Sequence, residues 1–327
     1  MKRIIAVLFF GLLLNGCDDG DLISDDIDFT DATVVPCTGS NTDILYKLRD
    51  RDALILSVAN LAAELPEGTT PVGSPETLAI NNTSVRLLYR IYDGEPVVEN
   101  ICGTIQPPTP TVIEQWHAVA GTLEMRTVAL TVPNDIDGYG GGLVVKNLRH
   151  SLVARRVTWQ TPANQIISDS VNVGSFSKEF NAPVLHLYGD IAEKCVQDTI
   201  YKHDSNTAFT INNIDPALLS TANLNTPKTG ILSPTVNNLT FFRFAPGVNL
   251  NGLNFCQAMG QNDITPVEVW NGDTGVALTS GIIEVTTTMI GTNFVHTIRL
   301  KNVTLRRADG RIAFKIGDDV LYGEYSE

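Results

Sequence analysis

The chain has 327 residues, 43% of them hydrophobic, with five Cys and a formal net charge of −13. Its length and apolar share suffice for two domains that each bury a core. The acidic balance excludes an electrostatic footprint for nucleic acid, so no nucleic-acid partner is expected.

Met1-Lys2-Arg3 is a basic head, and residues 4–14 are apolar. A run of about eleven residues is too short to span a bilayer, so residues 1–16 read as a secretory signal peptide. The leader ends in Leu14-Asn15-Gly16-Cys17. This resembles the lipobox of bacterial lipoproteins, which implies that Cys17 is acylated and holds the mature chain on a lipid bilayer. An odd Cys in an exported chain needs a reason; lipidation of Cys17 leaves four. Between Cys17 and Pro36 stand seven Asp and no Lys or Arg. Such a block cannot bury enough apolar surface to order itself, so residues 17–28 are taken as an acidic tether. The stretch is similar to the one that follows the lipid Cys in surface-exported lipoproteins of some Gram-negative bacteria. That implies an outer-membrane location at the cell surface, with the periplasmic face as the alternative.

The rest of the chain contains one pattern twice. Cys102 is followed fourteen positions later by Trp116, and Cys256 fourteen positions later by Trp270; Glu114 and Glu268 each stand two before the Trp. Arg90 matches Arg243, Cys37 matches Cys195, and His150 matches His296, in the same order. Two tandem copies of one domain follow, at 29–181 and 182–327. Short runs of branched and aromatic residues, punctuated by Gly, Pro, Asn and Asp, read as strands. The predicted class is all-β: two β-sandwich-like domains, each with at most one short helix. That helix is placed at residues 52–65, where Leu54, Val58, Leu61 and Leu65 have helical spacing, with a counterpart near 215–219. Exported Cys pairs oxidise, and one pair per copy predicts Cys37–Cys102 and Cys195–Cys256.

Glu and Trp two apart share a strand face. Arg90 is therefore expected near Glu114 or Glu124, and Arg243 near Glu268 or Glu284, as repeated framework. The competing reading makes Trp116 and Trp270 half-exposed platforms for a sugar. Copy one carries about fourteen extra residues between Glu124 and His150, including Asp135-Ile136-Asp137-Gly138-Tyr139-Gly140-Gly141-Gly142. Recognition is expected where the copies diverge, so residues 131–142, with Asp135, Asp137 and Tyr139, are candidate ligand contacts on a loop that can be shortened without loss of folding. In copy two the corresponding region is 271–280. The Asp135–Asp137 fragment looks like part of a calcium loop but lacks the later acidic ligand; no cofactor is expected, with calcium as the single weak exception. No hydrolase or phosphate-loop motif is present in the sequence. The expected function is a lipid-anchored binding or adhesion module for a glycan or protein ligand, without catalysis. The alternatives are a secreted glycan-active hydrolase and a structural envelope lipoprotein.

Overall fold

The computed structural model describes residues 27–39, 41–183, 189–196, 198–256 and 264–327. Cys17, the leader and most of the acidic tether lie outside the described residues.

Copy one is a single antiparallel sheet of eight strands: β1 (Val35–Pro36), β2 (Ile44–Arg49), β3 (Asp52–Val58), β4 (Glu76–Ala79), β5 (Val85–Tyr92), β6 (Val112–Pro133), β7 (Leu143–Gln160) and β8 (Gln165–Glu179). The order across the sheet is β1-β2-β3-β5-β6-β7-β8, with β4 on β6. Leu45, Leu54 and Leu56 near one edge share a core with Leu152, Ala154, Val171 and Val173 near the other. The sheet is therefore folded over on itself, which gives the sandwich-like packing. Burying apolar faces between the two halves supplies the main favourable term.

Residues 52–65 are not one helix. They form strand β3 and then a single turn, α1 (Leu61–Glu64). The reason is that β3 is buried on both faces. Leu54, Leu56 and Val58 face the main core, while Ala53 and Ile55 join Cys37, Tyr46, Tyr92 and Ile101 in a second, smaller core. A strand covered on both sides loses its alternation and imitates a helix. The second core lies under the Cys37–Cys102 disulfide, beside the short helix α2 (Val98–Cys102). In copy two, residues 215–219 make successive turns and no helix: Leu218 N–H bonds Asp215 O and Leu219 N–H bonds Pro216 O.

Copy two repeats the plan with β9 (Glu193–Lys194), β10 (Ile200–His203), β11 (Thr207–Asn212), β12 (Lys228–Ile231), β13 (Asn238–Arg243), α3 (Gly252–Cys256), β14 (Glu268–Gly272), β15 (Ile282–Ile290), β16 (Asn293–Arg307) and β17 (Ala313–Ser326). Its order is β12-β15-β16-β14-β13-β11-β10-β9, with β17 on β16. Cys195 bonds Cys256, again beside a small separate core. The long β6 of copy one corresponds to β14 plus β15, interrupted by residues 273–281.

Each copy is closed by a buried lysine. Lys47 of β2 is 3% exposed and donates to Phe29 O and Asn172 O, at 2.8 and 3.3 Å. Lys202 of β10 is 6% exposed and donates to Gly189 O and Tyr322 O, at 2.7 and 2.6 Å. In both, an ammonium from the second strand ties the last strand and the entering chain by their carbonyls. Burial lowers both lysine pKa values.

The copies are also joined physically. The β6–β7 hairpin of copy one reaches into copy two, where Tyr139, Val145 and Leu148 belong to a core with Ile316, Val320, Phe314 and Trp270. Tyr139 is 2% exposed, and burial pushes its phenol up to about 12. Asp318 N–H donates to Gly140 O at 2.8 Å. A Cβ on Gly142 would lie 2.5 Å from Ile316 O, and Gly141 adopts φ +72° against Asp318. The glycines of this turn let the backbone approach β17 closely. So residues 131–142 are not a free recognition loop, and Tyr139 is a core residue; Asp135 and Asp137 remain exposed at the hairpin tip.

Candidate functional site

Both tryptophans are buried, Trp116 at 4% and Trp270 at 0% exposure, so neither presents its ring to a ligand. The framework around them differs between copies. Trp116 Nε1–H donates to Glu114 Oε1 at 2.7 Å. Arg90 lies opposite Gln115 and donates to its Oε1 at 2.8 Å, whereas Glu124 is taken by Arg155 at 3.2 Å. The expected Arg90–Glu114 or Arg90–Glu124 pair is absent. Tyr89 pairs with Trp116 and Phe241 with Trp270, so Arg90 and Arg243 stand one residue out of register. A slip of one residue places a side chain on the opposite face. Arg243 does meet Glu268, Nε to Oε2 at 2.7 Å, as expected. With Glu268 so engaged, the buried Trp270 Nε1 has no hydrogen-bond partner.

The two repeated histidines carry the more informative difference. In copy two His296 lies opposite Thr287, with Oγ1 to Nδ1 at 2.9 Å. Its ring stacks on Tyr325 at 5.6 Å, and Nε2 reaches Glu327 Oε1 at 3.2 Å. In copy one His150 lies opposite Thr127, with Oγ1 to Nδ1 at 2.8 Å, and its ring tilts on Phe176 at 5.4 Å. Two residues beyond that aromatic, where copy two has Glu327, copy one has Lys178. His150 is fully buried and its Nε2 has no partner. Burial, with the Lys178 charge second, holds its pKa down at about 4. A buried polar atom left unpaired costs about 1–3 kcal/mol, so the orphan nitrogen asks for a function.

His150 lines a cavity of about 240 Å³ where the two copies meet. Copy one contributes Leu65 to Glu67, Leu148 and the end of β8 through Phe180; copy two contributes Arg243, Glu268 and Arg307. A second cavity of about 430 Å³ continues it and shares Glu67, Arg243, Glu268 and Arg307. The result is one groove along the junction. The seam beside it is fixed by Arg307 donating to Glu67 O at 2.8 Å, Thr69 N–H to Arg311 O at 2.9 Å, and Arg311 pairing with Glu76 at 2.8 Å.

Chemically the groove offers guanidinium and ammonium donors, carboxylate acceptors and one neutral imidazole. The Thr127 hydroxyl is 1% exposed and has the same buried counterpart in Thr287, so the Thr–His pair reads as framework and not as a nucleophile with its base. Among the described residues, no three His, Cys, Asp or Glu side chains converge as metal ligands, and Asp135 and Asp137 gain no third carboxylate. Sequence reading missed Lys178, Glu67, Phe180 and Arg307. The one available signal was the exchange of Glu327 for Lys178 at matched positions. Comparisons with family models, with curated proteins and with solved structures found no match.

Proposed function

We propose that the chain is a lipid-anchored binding protein of the cell envelope, and that its ligand lodges in the groove between the two copies. The observation that carries this reading is the buried, unpartnered His150 Nε2 in a cavity built by both copies. Buried polar groups without partners are rare in native structures and concentrate where something else completes them. A groove at a junction between domains is also a preferred place for small ligands.

The anchor is the second half of the proposal. It rests on Leu14-Asn15-Gly16-Cys17 and the seven Asp that follow. Two or more acyl chains hold a protein stably on a bilayer where one does not. Replacing Cys17 with Ala and fractionating the cells tests it. The variant is expected to leave the membrane fraction. Full retention there refutes the anchor without touching the groove.

A further inference from the structure

We infer that the His150 end of the groove binds the carboxylate of an acidic sugar, of the hexuronate class. The inference rests on the groove being the ligand site. Copy two supplies the template. There the carboxylate of Glu327 sits on His296 Nε2, while Thr287 occupies Nδ1. A carboxylate accepts, so that Nε2 carries the proton and Nδ1 accepts from the threonine hydroxyl. The same threonine contact recurs in copy one, and by that correspondence with copy two we assign His150 the same tautomer. His150 thus presents an N–H with no acceptor, in a fold whose twin satisfies it with a carboxylate.

Copy one has Lys178 at the matched position in place of that acceptor, and its charge acts on His150. Among the described residues Lys178 has no ion pair. An incoming carboxylate would take one hydrogen bond from His150 Nε2 and a charge-assisted one from Lys178, which strengthens it further. The Lys178 side chain is exposed and flexible, so it can swing aside to admit the ligand. Burial holds the His150 pKa down at about 4, which favours the neutral ring. The adjoining groove suits a sugar. Arg243, Glu268 and Arg307 alternate donors and acceptors for hydroxyl groups, and the cavity of about 240 Å³ is small enough for a single ring.

The test uses the chain from residue 18 onward, without the lipid, and follows the His150 ring nitrogens and the groove amides by NMR. The probes are D-glucuronate, trigalacturonate, the methyl ester of glucuronate, and a tetraglutamate peptide. Glucuronate and trigalacturonate are expected to shift His150 Nε2 saturably, with the ester at least tenfold weaker. Lys178→Glu gives copy one the arrangement of copy two; it is expected to stay folded and to lose the response. Equal responses to acid and ester overturn the carboxylate assignment and leave the groove as the site. A response to tetraglutamate alone overturns the sugar. Shifts unchanged in Lys178→Glu overturn the subsite. No shift at any groove residue with any probe overturns both this inference and the groove reading.

Discussion

Replacing Tyr139 with Ala is expected to unfold copy two more easily although the residue belongs to copy one. Tyr139 is 2% exposed, and it belongs to one core with Ile316, Val320, Phe314 and Trp270 of the other copy. Removing a fully buried aromatic ring loses its transfer free energy and leaves a cavity, together about 3–5 kcal/mol. A domain of this size is stable by about 5–15 kcal/mol, so the loss is a large fraction. It corresponds to a fall of roughly 10–15 °C in the melting temperature of copy two. Tyr139→Phe keeps the ring and should retain most of the stability. Calorimetry on the soluble chain reads the size of the effect. Hydrogen exchange assigns it: amides of β17 should lose protection while those of β2 and β3 keep theirs. Unchanged melting, or equal loss in both copies, refutes the packing argument. Replacing residues 131–142 by a two-residue turn should do at least as much damage, since it also removes the Gly140–Asp318 bond.

Lowering pH should destabilise copy one through His150. Its folded pKa is about 4 against 6.5 when exposed, so between these values the unfolded chain takes up a proton that the folded chain refuses. The stability is complete above pH 6.5 and is lost as pH falls toward 4, by about 3 kcal/mol; urea titrations of parent and His150→Gln should differ in slope across that window. Lys202→Met strands the buried Tyr322 O and removes the partner of the part-buried Gly189 O. It should lower the urea midpoint of copy two by an equivalent of about 2–4 kcal/mol. Replacing both Cys195 and Cys256 with Ser opens a crosslink spanning 61 residues and should cost about 4 kcal/mol in thermal unfolding.

The duplication was readable because the two cores reuse the same side chains at the same register. Cys–Cys pairing, the buried Trp positions and the Thr–His pairs all follow from a shared interior. Residues 52–65 misled because Ala53 and Ile55 face a second core as apolar as the first, so the two-residue period that marks a strand was erased. Arg90 misled because alignment by residue type took no account of the pairing of Tyr89 with Trp116. The hairpin tip misled for a different reason. Asp135, Gly138 and Gly141 have the chemistry of any exposed turn. What buries Tyr139 lies far along the chain in β17, and local composition carries no trace of it. His150 was visible as a repeat, but its unpaired nitrogen depends on Lys178, which only the register of β7 with β8 brings near.

The insertion of one copy's hairpin into the next is a head-to-tail contact, and contacts of that kind propagate unless something stops them. Here the stop is a matter of length. The Thr–His pair brackets a hairpin of sequence separation 23 in copy one and only 9 in copy two. Copy two receives an arm and has none to give. Two chains that meet therefore cannot extend the array by this route, and the pair is a terminated unit and not a fibre repeat. Grafting residues 131–145 into the turn at Gly291 would restore the missing donor, and with it a tendency to assemble chain after chain.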